Sequence, residues 1–194
     1  MMRQYQNNYR IDSARLKDWD YSTPWWYYVT INTKDHEEYF GVIKNVQMVL
    51  NELGKVVQNE WEKTKTLRQN VELDYYVIMP NHVHGIIIIN EPERRDDPMG
   101  RLNETFNNLP NHETIHRIVA TSLQPNSLGS IIGQFKSVCT KRIRSLGYSD
   151  FAWQSRFYDR IIRNEKELIN IRKYIEQNPM KWGFEKNQPE NIFI

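Results

Sequence analysis

The sequence predicts an α+β fold, one antiparallel sheet packed against helices within a single domain spanning residues 1–194. Three observations predict it. Apolar, aromatic and β-branched residues gather in four short runs: Trp25–Thr33, Glu72–Met79, His82–Ile89 and Arg156–Ile162. Between and after these runs, apolar residues recur every three to four positions, the spacing of amphipathic helices. The resulting order is strand, helix, strand, strand, helix, strand, helix, a βαββαβ core of ferredoxin-like pattern with one added carboxyl-terminal helix.

Each element has its own warrant. "WWYYVTINT" (25–33) is dense in the residues that suit a pleated, half-buried surface. A short piece around Tyr39–Val42 is expected to pair locally. Val46, Val49, Leu50, Leu53, Val57 and Trp61 fall at helical spacing and predict a helix over Lys44–Lys63, weakened slightly by Gly54. Pro80-Asn81 marks a turn between the second and third strands. Asn90–Pro125 holds four of the eight prolines and few apolar residues, and reads as a flexible insertion. Leu128, Ile131, Ile132, Phe135, Val138, Cys139, Ile143 and Leu146 form the next helical stripe, closed by Gly147. Asn164 with Glu167 three residues later resembles a capping box opening the last helix, which Pro179 is expected to end near Asn178.

Composition narrows the classes. Cys139 is the only cysteine, so an internal disulfide and a cysteine zinc site are excluded; its place on the apolar stripe makes it a small core residue. No run is long enough to span a membrane, and the first residues lack an apolar stretch, so a cytoplasmic protein is expected. Net charge is +2, yet Asn126–Lys186 carries 12 Lys/Arg against 6 Asp/Glu, while the rest carries 14 against 18. A basic carboxyl-terminal third suits a polyanionic partner and equally a solvated surface.

"YYVIMPNHVHGIIII" (75–89) places two imidazoles in an apolar run. On a strand His82, His84, Ile86 and Ile88 share one face, so both rings point the same way. That is a two-ligand metal platform, or a pair of edge histidines hydrogen-bonded to neighbours. In "YIEQNP", Tyr174 and Asn178 stand one helical turn apart on one face. Asn178 offers an amide oxygen and Tyr174 a phenol; both also suit the border of an apolar stripe formed by Leu168, Ile171 and Ile175.

"YVIMPNHVHG", followed by "WQSRFYDRIIRNEKELINIRKYIEQNPMKWG", resembles the REP-associated tyrosine transposases, the single-tyrosine branch of the HUH endonucleases. "RLKDWDYSTPWWYYVTI" and "VELDYYVIMP" are similar to that family too. The resemblance implies His82 and His84 as metal ligands, Asn178 as the third, and Tyr174 as the nucleophile on the carboxyl-terminal helix. Asn178 stands where insertion-sequence members usually carry Gln. Tyr158 is the rival nucleophile, but it lacks an amide one turn on. The implied activity is cleavage and rejoining of single-stranded, hairpin-forming DNA through a 5′-phosphotyrosine, assisted by Mg²⁺ or Mn²⁺, in a monomer or homodimer. Gln134, Lys136, Ser137, Lys141 and Arg144 are offered as a DNA-contacting face, with Trp25, Trp26, Tyr27 and Tyr28 as stacking residues. A catalytically silent hairpin-binding protein is the alternative. "HETIH", with His112, Glu113 and His116, matches a zinc-hydrolase pattern, but it sits in the polar insertion with only Ile115, Ile118 and Val119 as apolar support and no further ligand nearby.

Overall fold

In the computed structural model the described residues are 4–5, 8–9, 16, 19–91 and 125–185. Strands β1 (Gln4–Tyr5) and β2 (Asn8–Tyr9) form a two-stranded ladder. They are followed by β3 (Trp25–Asn32), β4 (Gly41–Lys44), β5 (Gln47–Leu50), α1 (Glu52–Leu67), β6 (Val71–Ile78), β7 (His82–Ile89), α2 (Leu128–Ser145), β8 (Tyr158–Ile161) and α3 (Glu165–Glu185). The main sheet has the order β6-β7-β3-β8 with every neighbour antiparallel. That is the α+β, βαββαβ arrangement the sequence predicts.

All eight residues of β7 are buried, because the sheet is covered on both faces. On one face Val83, Ile87 and Ile89 join the large core with Trp61 of α1 and Ile131, Ile132 and Phe135 of α2. Gly85 is required here: a Cβ would lie 2.3 Å from the ring of Trp61. On the other face Ile86 and Tyr28 meet Ile162, Leu168 and Ile175, so α3 lies across the sheet opposite α1 and α2.

Two expectations are corrected. The helix predicted over Lys44–Lys63 begins only at Glu52, and Gly41–Leu50 is a hairpin instead. Asn45 and Val46, with φ of 48° and 58°, turn the chain back, and the Asn51 side chain caps α1 by accepting from Gly54 N–H. The helix predicted to stop near Asn178 runs through Pro179 to Glu185. Proline removes one helical hydrogen bond but does not oblige the chain to leave the helix. Its start is as expected, with Asn164 Oδ1 accepting from Glu167 N–H at 2.9 Å; the Glu167 carboxylate accepts from Arg163 N–H, one residue outside a true capping box. Of the insertion, residues 92–124, including His112, Glu113 and His116, lie outside the described residues.

Candidate active site

The site is built where the His82 end of β7 meets one turn of α3. Antiparallel register sets Thr30 opposite His84 and Asn32 opposite His82. Alternation then puts His82, His84, Tyr28 and Thr30 on the α3 face of the sheet. Both histidines are buried, and their Nε2 atoms face each other at 3.0 Å.

The outer nitrogens are held from behind. Asn81 Oδ1 accepts from His82 Nδ1 at 2.6 Å, while the Asn81 amide donates to His36 O at 2.9 Å. The carbonyl oxygen can only accept, so His82 carries its proton on Nδ1 and its Nε2 is a lone pair. The proton between the two rings therefore belongs to His84 Nε2. His84 Nδ1 then accepts from one of two hydroxyls, Tyr28 at 2.7 Å or Thr30 at 2.9 Å. Burial pushes His82 down to about 3, with His36 adding to the fall and the Asn178 amide opposing it. Burial, then the neighbouring His82, holds His84 well below the usual histidine range. Both rings are neutral at pH 7, the form in which imidazole binds metal ions.

From α3, Asn178 is 1% exposed, and neither its oxygen nor its nitrogen makes a hydrogen bond of ordinary geometry, though the amide lies against His82. A buried amide with both atoms unsatisfied costs stability unless something binds it. One turn earlier the half-buried Tyr174 ring meets His84 edge-on, centroids 5.3 Å apart, and Lys181 Nζ lies 5.8 Å from the Tyr174 ring centre. Trp182 closes the His82 side at 5.5 Å. Tyr158 stands on the edge strand, 45% exposed, with its ring 6.3 Å from that of Tyr28.

Beside the apolar cluster of Leu168 and Ile175, α3 also meets an irregularity in β6. Register shifts between Leu73 and Tyr76, a bulge that re-aims the intervening side chains. Asp74 Oδ2 there accepts from Arg172 Nε at 2.8 Å, and the same guanidinium covers the rings of Tyr75 and Trp26 at 5.3 and 5.9 Å.

Two imidazole nitrogens and one orphaned amide form a neutral donor set that fits a divalent ion. Two nitrogens held side by side on a six-coordinate ion at about 2.1 Å lie about 3.0 Å apart. Among the described residues no group of three His, Cys, Asp or Glu side chains converges, and the buried Asn178 amide is the polar group set against the histidine pair.

A second feature lies at the same end of the sheet, on the α2 side. Lys136, Ser137, Thr140, Lys141 and Arg144 line an open groove of about 480 Å³ with the segment Ala152–Ser155. Gln154 ties its wall to the end of β3, donating N–H to Asn32 O at 2.9 Å. Lys136 donates to Gln154 O, and Arg144 Nε donates to Phe151 O at 3.1 Å. Four of the five residues offered as a DNA-contacting face thus share the groove. Gln134 instead faces Arg68, whose Nη2 donates to it at 2.7 Å. Trp25 and Tyr27 are core residues, Tyr28 holds His84, and Trp26 lies under Arg172.

Sequence reasoning missed Thr30 and the Asn81 side chain, and it offered Tyr28 for base stacking rather than as a partner of His84. Asn81 had a signal, since it immediately precedes His82 in "MPNHVH", but its side chain does more than mark a turn. The contacts of Tyr28 and Thr30 with His84 are found only through the register of β3 against β7.

No family model matches the sequence. An uncharacterized protein of Haemophilus influenzae is 37% identical over 174 residues, 88% of this chain and 88% of its own length. Among solved structures, a REP-associated tyrosine transposase bound to a REP hairpin matches with a TM-score of 0.53 at 20% identity, over 91% of this chain and 77% of that one. The chain therefore belongs to one family with the Haemophilus influenzae protein, and its fold is transposase-like.

Proposed function

We propose that this chain is a metal-dependent single-strand DNA endonuclease and strand transferase, a tyrosine transposase of the HUH type acting on hairpin-forming DNA. One observation carries the reading: Tyr174 stacks edge-on to His84 while the unsatisfied Asn178 amide, one turn on, lies against His82. The similar transposase was solved with a REP hairpin, which supports hairpin DNA as the substrate class.

His82, His84 and Asn178 would hold Mg²⁺ or Mn²⁺, which supplies polarisation of the scissile phosphate and relief of its developing charge. Two imidazoles favour Mn²⁺ among these, and cellular abundance favours Mg²⁺. Metal ligation leaves no proton on either Nε2, so the His84 proton moves to Nδ1. Tyr28 and Thr30 suit both states, because hydroxyls donate or accept by turning. Tyr174 Oη attacks phosphorus, the P–O3′ bond breaks, and the strand ends in a free 3′-hydroxyl and a 5′-phosphotyrosine. The ester conserves the bond energy, so a second 3′-hydroxyl can reverse the step on another strand without a nucleotide. The phenol, with an ordinary pKa near ~10, must lose its proton on the way. The groove from Lys136 to Arg144 would hold strand phosphates.

The test is a covalent adduct on a denaturing gel, using labelled single-stranded hairpins from DNA flanking the gene. A shifted band lost with Tyr174→Phe and with chelator is expected. Binding without a band would leave a silent hairpin-binding protein; a band that survives Tyr174→Phe would move the nucleophile to Tyr158.

A further inference from the structure

Between β3 and α1 the chain makes a tight turn and then the β4–β5 hairpin. Five non-glycine residues among those described have positive φ, and four lie here: Asp35 (54°), His36 (57°), Asn45 (48°) and Val46 (58°). Asp, His and Asn tolerate that region, whereas a β-branched residue in it is strained. Val46 occupies the second central position of the two-residue turn between Lys44 and Gln47, where this turn type takes glycine after asparagine. Packing does not repay the strain. Val46 is 60% exposed, and the cross-strand pair Val42 and Val49 behind it is 48% and 47% exposed. The opposite side of the hairpin is anchored, with Met48 and Leu50 packed on the core.

The hairpin stands at a particular place. Its root, Phe40, donates N–H to Pro80 O at 3.0 Å, two residues before His82. The Phe40 ring lies 6.0 Å from Phe151 and 5.3 Å from Trp153, in the segment that walls the basic groove. β5 also touches α3. The hairpin is thus rooted beside the turn that leads into His82 and beside the segment that walls the groove.

We propose that the β4–β5 hairpin is a strand-separating pin, with Val46 packing on the last base pair of a DNA stem where the duplex gives way to the single strand entering the site. The proposal rests on the reading of the site as one for single-stranded DNA. The reacting phosphate has to reach Tyr174 beside histidines that are buried, so the stem of a folded substrate stops short of them. A blunt apolar tip finds no partner along a charged backbone, but it matches the exposed face of a terminal pair, as apolar wedges do in other DNA-bending proteins. Lys44, beside the tip, reaches the adjoining phosphate. The strained turn presents the valine outward rather than letting it fold back.

The test is Val46→Gly, which supplies the residue the turn prefers and keeps the hairpin folded; its melting temperature should match or exceed that of the wild type. The probe is a DNA hairpin with 2-aminopurine as the first base of the single-stranded tail, which stacks on the terminal stem pair in free DNA, bound without metal. The wild type should raise the fluorescence by unstacking that base, and Val46→Gly should lose the rise. In the adduct assay Val46→Gly should cut the hairpin-flanked site about tenfold more slowly, as expected for one lost base contact, yet cut an unstructured strand at the wild-type rate. A rise that persists in Val46→Gly, or wild-type binding without a rise, overturns the pin even where adducts form. A Val46-dependent rise without any adduct keeps the pin and overturns the catalytic reading. A change in sedimentation of the free protein with no change in fluorescence would assign the tip to contact between copies and overturn the pin; failure to bind hairpins at all overturns both.

Discussion

His84 is held at both nitrogens, with Nδ1 between the hydroxyls of Tyr28 and Thr30 and Nε2 turned to His82. Partners behind a ligand typically change metal affinity 10- to 100-fold. Tyr28→Phe keeps the buried ring and removes one hydroxyl, so Mn²⁺ affinity by calorimetric titration should fall by about tenfold with little change in fold. Unchanged affinity would show that Thr30 alone orients the ring. The neutral histidines also make stability depend on pH. Their folded pKa values lie below the unfolded value of about 6.5, so below that pH the unfolded chain binds protons the folded chain does not. The metal-free protein should be fully stable above about pH 6.5 and lose up to about 2.7 kcal/mol per pH unit as pH falls towards 3, one proton for each ring. Urea unfolding at pH 7.5 and 5.5, beside a His82→Asn/His84→Gln variant whose stability should change less, checks the sign. At this scale the sequence was informative where local periodicity decides: alternation aligned His82 with His84, and helical spacing aligned Tyr174 with Asn178. It was silent on Tyr28 and Thr30 as partners of His84, because strand pairing across more than 50 residues is not written in any local pattern.

Two elements near the site are the ones the sequence described least well, the β4–β5 hairpin and the end of α3. Val46, Val49 and Leu50 fit a helical template as readily as an alternating one, since a short apolar run does not distinguish them. The decision lay with Asn45 and Val46 in left-handed conformation and with the Asn51 cap, and only asparagine is a recognisable turn residue. Pro179 misled in the opposite sense. Continuing α3 beyond it brings Lys181 and Trp182 onto Tyr174 and His82, so the helix buries more by going on than by ending. The apolar contacts of Leu168 and Ile175 hold α3 on the sheet, and the bulge in β6 adds the Asp74–Arg172 pair to them. Arg172 is about a third exposed, so solvent screens the pair and Asp74→Ala should cost only about 1 kcal/mol of global stability. Its local effect should be larger. Amide exchange along α3 should quicken and adduct formation should fall more than the stability loss explains, with Tyr174 less often in place. Equal protection of α3 in both proteins would mean that the apolar contacts of Leu168 and Ile175 suffice.

Across the whole molecule, charge and topology converge on one end of the sheet. The net charge of +2 hides a basic carboxyl-terminal third, and the fold turns three of its cations into the wall of a groove tied to the end of β3. The charge imbalance was readable in the chain, but its location was not: Gln134 shares the helix yet turns to Arg68, while Lys136 and Arg144 are tied to backbone carbonyls of the 151–154 segment. Those two cations shape the wall as well as charge it, so removing either would confuse structure with binding. Lys141 is exposed and lies in the groove, which makes it the cleaner probe. A cation that neutralises one phosphate of a single strand releases about 0.7 of a counterion. Lys141→Ala should therefore weaken DNA binding similarly for every sequence, and the plot of log affinity against log salt should be shallower by about 0.7. Melting temperature and Mn²⁺ affinity should be unchanged, since Lys141 is remote from the core and from the histidines. A loss confined to one sequence would make Lys141 a reader of bases; an unchanged slope would send the strand over a different surface of the protein and leave the groove without a role in binding.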